Sequence, residues 1–201
     1  MVDEIFGGAN KEEPDLETVN REVNLSVSLI EDDSGSMSNS NKLHNAKKSS
    51  INLVDNLKKE NVEVGLISFG GRVKVETSLT TNFEKVNDKI RQLNAGGRTP
   101  FMKAMLAAQE DHFSRANGRK ILVLDTDGKP SYESQSKILD YGEVLKENKV
   151  RIITIGIGKD VNENFLRKLA TSPEDYYFAE APKDIGRTFR EVTGTLVEQS
   201  H

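Results

Sequence analysis

The segment Asp32-Asp33-Ser34-Gly35-Ser36 sets one carboxylate and two hydroxyls at alternate positions, Asp32, Ser34 and Ser36. It follows an apolar run at 25–30 and precedes a long helical pattern. Carboxylate and hydroxyl oxygens are hard donors of the kind that Mg²⁺ and Mn²⁺ prefer. With a single charge among the three, an ion held there keeps much of its positive charge and can still draw an outside carboxylate. Taken alone, the segment reads equally well as a turn followed by a helix cap, because Asp, Ser and Gly are ordinary in both. Two later segments repeat the chemistry. Gly96-Gly97-Arg98-Thr99-Pro100 is a glycine turn that puts a hydroxyl at the head of a second helical pattern. The stretch 121–128 is a buried-type strand that ends in the carboxylates of Asp125 and Asp127.

Regular elements are needed to bring these segments together. Val23, Leu25, Val27 and Leu29 alternate with Asn24, Ser26 and Ser28, the period of a strand. Leu43, Ala46, Ile51, Val54 and Leu57 give 42–60 a helical stripe. Strands are expected at 62–69 and 72–77, joined by Gly70-Gly71 as a hairpin. Further helices are expected at 83–93, 101–115, 137–148, 161–170 and 185–197, and strands at 120–125, 150–157 and 176–178. Strands alternating with helices imply an α/β fold whose doubly wound, mostly parallel sheet is covered by helices on both faces. In such sheets ligands bind beyond the carboxyl ends of the strands, at a switch point, and all three segments fall there. Residues 1–21 are polar and read as an arm ahead of a single domain at 22–201.

These segments resemble, in order and spacing, the von Willebrand factor A family. The resemblance is carried by Asp32-x-Ser34-Gly35-Ser36-Met37, by Gly96-Gly97-x-Thr99-Pro100 and by Thr126-Asp127-Gly128. The flanking strands Val64-Gly65-Leu66-Ile67-Ser68-Phe69 and Ile155-Gly156-Ile157-Gly158 match as well, and the likeness spans residues 22–198. It implies a Rossmann-like fold with one antiparallel edge strand. It also implies a metal-ion-dependent adhesion site. Ser34, Ser36 and Thr99 would be hydroxyl ligands, and Asp32 and Asp127 would act directly or through water. The ion would be Mg²⁺ or Mn²⁺, with Ca²⁺ as a further candidate, and an acidic side chain of a partner protein would complete its coordination. The expected function is therefore a non-enzymatic interaction module. Bacterial cytoplasmic members of the family often work beside ATPases or stress-response proteins.

Two positions depart from the family pattern. Glu31 and Asp125 stand where the family usually has apolar residues, and strand alternation counted from Asp32 and Asp127 puts them on opposite sides of the sheet. Asp125 also raises an alternative. Leu124-Asp125-Thr126-Asp127-Gly128 resembles the first motif of the haloacid-dehalogenase phosphotransferases, with Asp125 as nucleophile and Asp127 as acid/base. Lys129 and the central position of the motif speak against it, and it leaves Asp32 and Thr99 without a role. A scaffold that has lost its metal is a third reading, opposed by a suitable residue at all five ligand positions.

Composition narrows the rest. A net charge of −4 lacks the basic footprint of nucleic-acid binding, and with no cysteine there is no disulfide or thiol chemistry. No run approaches the roughly 18 apolar residues of a membrane span. The first residues have neither the basic nor the apolar region of a secretory signal, so a cytoplasmic protein is expected. The three histidines are far apart in sequence and read as surface or satisfied side chains.

Overall fold

The strands β1 (Leu25–Glu31), β2 (Val62–Phe69), β3 (Val73–Thr80), β4 (Arg119–Thr126), β5 (Val150–Ile157) and β6 (Tyr176–Ala179) form one sheet of order β3-β2-β1-β4-β5-β6. The computed structural model describes residues 23–130 and 133–200; the polar arm read at 1–21 lies outside them. Strand β1 pairs in parallel with β2 and β4, β4 with β5, and β5 with β6, while β3 runs antiparallel to β2 at the edge. The sheet is thus doubly wound and mostly parallel, with one antiparallel edge strand. The chain winds outward from β1 in one direction and from β4 in the other. The crevice at this reversal is the switch point, and Asp32 and Asp127 follow the two strands that flank it.

Helices α1 (Lys42–Leu57), α2 (Phe83–Gln92) and α6 (Ile185–Ser200) cover one face. Helices α3 (Phe101–Ala107), α4 (Gln135–Glu147) and α5 (Glu163–Leu169) cover the other. Leu25, Val27 and Leu29 of β1 pack with Leu53 and Val54 of α1 and Phe189 of α6. Ile30 faces the second layer with Leu122, Leu124, Phe101 and Met105. Among the described residues, no helix is long and apolar enough to cross a membrane.

All seven residues of β1 are buried, including the serines that alternation sets apart from the apolar stripe. Their hydroxyls are satisfied, as burial requires. Ser26 Oγ donates to Glu63 Oε1 at 2.5 Å. Ser28 Oγ meets His112 Nδ1 at 2.7 Å, and His112 Nε2 meets the Thr77 carbonyl at 3.0 Å. The helix expected over 101–115 is not continuous. Helix α3 gives way to a π turn at Ala108–His112 and a 3₁₀ turn at Phe113–Arg115. The wider turn seats His112 against Gly65, where a Cβ would come within 2.4 Å of the imidazole.

Phe101, fully buried, opens α3 directly after the Thr99 loop. Its ring sits 5.4 Å from that of Phe69 and 5.6 Å, edge-on, from that of Phe165. This aromatic anchor ties the loop to both β2 and α5. Phe101→Ala is expected to cost about 3–5 kcal/mol through the cavity it leaves, read as a lower urea midpoint with an unchanged slope.

Candidate metal centre

Three loops lock together above the carboxyl ends of β1 and β4. The Asp33 carbonyl accepts from Gly96 N–H at 2.7 Å, the Gly97 carbonyl from Gly35 N–H at 3.2 Å, and the Arg98 carbonyl from Gly71 N–H at 3.0 Å. Glycine is required at position 97. Its φ is +74°, and a Cβ there would stand 2.2 Å from the Gly71 Cα. The hairpin between β2 and β3 therefore braces the turn that carries Thr99.

The expected site residues converge within this cradle. Ser34 Oγ and Ser36 Oγ lie 3.1 Å apart, and Ser36 Oγ donates to Asp127 Oδ1 at 2.6 Å. Asp32 Oδ1 accepts from the Ser34 N–H at 2.8 Å, and its Oδ2 accepts from the Thr126 hydroxyl at 2.5 Å. Thr99 Oγ1 stands 3.4 Å from where a Cβ of Gly128 would be, beside Asp127. Asp32, Ser34, Thr99 and Asp127 are buried and Ser36 is exposed, so the cluster opens to solvent on the Ser36 side. Burial pushes the Asp32 carboxyl up to about 6, opposed by its hydrogen bonds from Ser34 and Thr126.

Hydroxyls and carboxylates are the only side-chain donors here, which fits Mg²⁺ or Mn²⁺. A divalent ion would also offset the cost of burying Asp32. Among the described residues no three His, Cys, Asp or Glu side chains gather as metal ligands, so an ion at this place relies on the hydroxyls. The helix that follows the Thr99 turn starts where the sequence pattern puts it. Helix α3 begins at Phe101, whose N–H donates to the Thr99 carbonyl at 3.1 Å, and with seven residues it adds little dipole.

One functional side chain escaped the sequence reading. Lys42, the first residue of α1, places Nζ 2.7 Å from Asp127 Oδ2. The only sequence signal for it is a lysine at the first helical position after the motif loop. That position is reached through two left-handed residues, Ser40 at φ 53° and Asn41 at φ 60°.

Glu31 and Asp125 are direct register partners on parallel strands, so their side chains lie on the same face. The expectation that they point to opposite sides is incorrect. Asp32 and Asp127 lie beyond the strand ends, in loops, where the period of two no longer holds. Both carboxyls are buried, and Glu31 Oε1 accepts from the Ser50 hydroxyl of α1. Burial raises Glu31 to about 7, and burial together with Glu31 holds Asp125 well above the ordinary carboxylate range. This also removes the phosphotransferase alternative. A nucleophilic Asp125 must be ionised and reachable, and here it is 2% exposed and turned into the core.

Residues 27–191 match the von Willebrand factor type A domain. The chain belongs to the von Willebrand factor type A (VWA) family. VWA domains are protein-interaction modules, and this chain is a non-enzymatic one. It is similar to the uncharacterized protein sll0103 of Synechocystis sp., with 27% identity over 86% of this chain and 41% of that protein. It is also similar to the collagen alpha-1(XXI) chain of Xenopus laevis, with 28% identity over 57% of this chain and 12% of that one. It thus spans less than half the length of either relative. Among solved structures, the von Willebrand domain of the type V pilus tip protein Mfa5 from Porphyromonas gingivalis has a TM-score of 0.79 at 14% identity, covering 90% of this chain and 97% of that one. Proximal thread matrix protein 1 from the mussel byssus, solved with a zinc-occupied MIDAS motif, has a TM-score of 0.77 at 18% identity over 88% of this chain and 46% of that one. Both share the fold.

The carboxyl pair makes stability depend on pH. Glu31 holds its proton more tightly folded than unfolded, so its contribution is complete below the ordinary value of 4.5 and is lost as pH rises through about 7. Glu31→Gln removes that loss. Thermal melts in EDTA are expected to show the variant gaining about 1–3 kcal/mol over the wild type at pH 8, with the gain shrinking toward pH 5.

Proposed function

We propose that this VWA domain binds Mg²⁺ or Mn²⁺ through Ser34, Ser36 and Thr99, with Asp32 and Asp127 acting directly or through water, and that the ion captures an acidic side chain of a partner protein. The observation that carries the reading is the hydrogen bond from Ser36 Oγ to Asp127 Oδ1, which joins two motif segments 91 residues apart in sequence. Hydroxyl-rich coordination leaves the ion electron-poor, and Mg²⁺ usually keeps exchangeable waters. One such water is the natural place for an incoming carboxylate. The zinc-occupied MIDAS of the mussel matrix protein supports a metal on this fold. With oxygen donors alone, the present set favours Mg²⁺ or Mn²⁺ over zinc, which is commonly held by nitrogen or sulfur.

Calorimetric titration with Mn²⁺ and Mg²⁺ tests the first step. Asp32→Ala is expected to abolish binding or weaken it by tenfold or more, about 1.4 kcal/mol or greater. Equal affinity in variant and wild type would remove the assignment. The second step is read by affinity capture of partner protein with and without EDTA. Thr99→Ala is expected to reduce capture while leaving the melting temperature in EDTA nearly unchanged, because it deletes one ligand and little core volume.

A further inference from the structure

We propose that Lys42 is a tethered counter-ion that the divalent metal must displace from Asp127, so that this one side chain sets how tightly the site takes its ion. The inference rests on the metal-binding reading above.

Both oxygens of Asp127 are engaged: Oδ1 accepts from Ser36 Oγ at 2.6 Å, and Oδ2 from Lys42 Nζ at 2.7 Å. The Asp127 side chain is 0% exposed and that of Lys42 13%, so water screens the pair poorly. Asp32, the other buried carboxylate, is held by the Ser34 N–H and the Thr126 hydroxyl, both neutral donors. Among the described residues, Lys42 is thus the cation seen in contact with Asp127.

Its position is built in. The turn through Ser40 and Asn41 delivers Lys42 to the first position of α1. Its stem then passes the end of β5, with Cε and Nζ each 3.5 Å from where a Cβ of Gly158 would stand. An ion ligated by Ser36 sits next to the same carboxylate that the ammonium holds. Two cations on one buried carboxylate repel each other strongly when little water lies between them. The ammonium must move away from Asp127, or the ion is held less tightly.

This role predicts opposite signs for two measurements. Removing the charge of Lys42 should tighten metal binding, because the ion then meets two carboxylates with no rival. It should also weaken the metal-free fold, because Asp127 loses its counter-charge. A lysine that merely oriented Asp127 for the metal would give looser binding when removed. Lys42→Gln separates charge from hydrogen bonding, since the amide can still donate to Asp127. Lys42→Met removes both, and Lys42→Arg keeps a cation.

The experiment is calorimetric titration with Mn²⁺ alone on wild type, the three Lys42 variants and Asp32→Ala, with thermal melts in EDTA and in Mn²⁺. Lys42→Gln and Lys42→Met are expected to bind Mn²⁺ about tenfold or more tightly than wild type. They should also melt lower in EDTA and gain more degrees on adding Mn²⁺, while Lys42→Arg stays near wild type. Metal binding by Lys42→Gln but not by wild type would support the proposal in its strongest form. Equal or weaker binding by Lys42→Gln and Lys42→Met, with Asp32→Ala silent, overturns the role of Lys42 and leaves the metal site standing. Binding by Asp32→Ala equal to wild type, or no binding by any protein, overturns both.

Discussion

Two carboxylates, Asp32 and Asp127, are taken out of water at the ends of neighbouring parallel strands, and the features around them answer that burial. A buried carboxylate without partners costs far more than one hydrogen bond returns. Each of the two is accordingly supplied with donors: a backbone N–H and the Thr126 hydroxyl for Asp32, and the Ser36 hydroxyl and the Lys42 ammonium for Asp127. The serines and threonines of the motifs thus serve the fold whether or not an ion is present. The same oxygens are those an ion would use.

Rigidity at this place comes from elements that carry no chemistry. The loop of Thr99 is pinned from below by Phe101 in its aromatic cluster and from the side by the glycine-to-glycine contact with the β2–β3 hairpin. Long-range hydrogen bonds between loops 32–36, 70–71 and 96–99 close the ring. A site held by such supports keeps its donors aimed before a ligand arrives, which lowers the ordering cost of binding.

Just beneath lies a second layer of acid, Glu31 and Asp125, sealed under α1. Where the resembled family usually keeps apolar strand ends, this chain buries two neighbouring carboxyls. The pair costs stability at neutral pH and above. Burial lets each carboxyl hold its proton to a higher pH than an ordinary carboxylate, which lessens the negative charge beneath the site.

The sequence by itself was enough for the architecture. Period-two and helical stripes, separated by glycine turns, specify a parallel sheet covered on both faces, because local patterning reflects which side of each element is buried. The spacing of Asp32, Ser34 and Ser36, with Thr99 and Asp127, was enough to nominate the cluster, since loops after parallel strands gather at one edge. Helix continuity past Ala107 was not legible, because the π turn is imposed by seating His112 on Gly65, a contact between distant segments. Nor was the pairing of Glu31 with Asp125, because register between strands is a tertiary quantity and the period of two fails once the chain leaves the strand. Lys42 was hidden for the same reason. A lysine at a helix start is solvated in most proteins, and it is the tertiary placement of Lys42 beside Gly158, just past β5, that turns its ammonium onto Asp127.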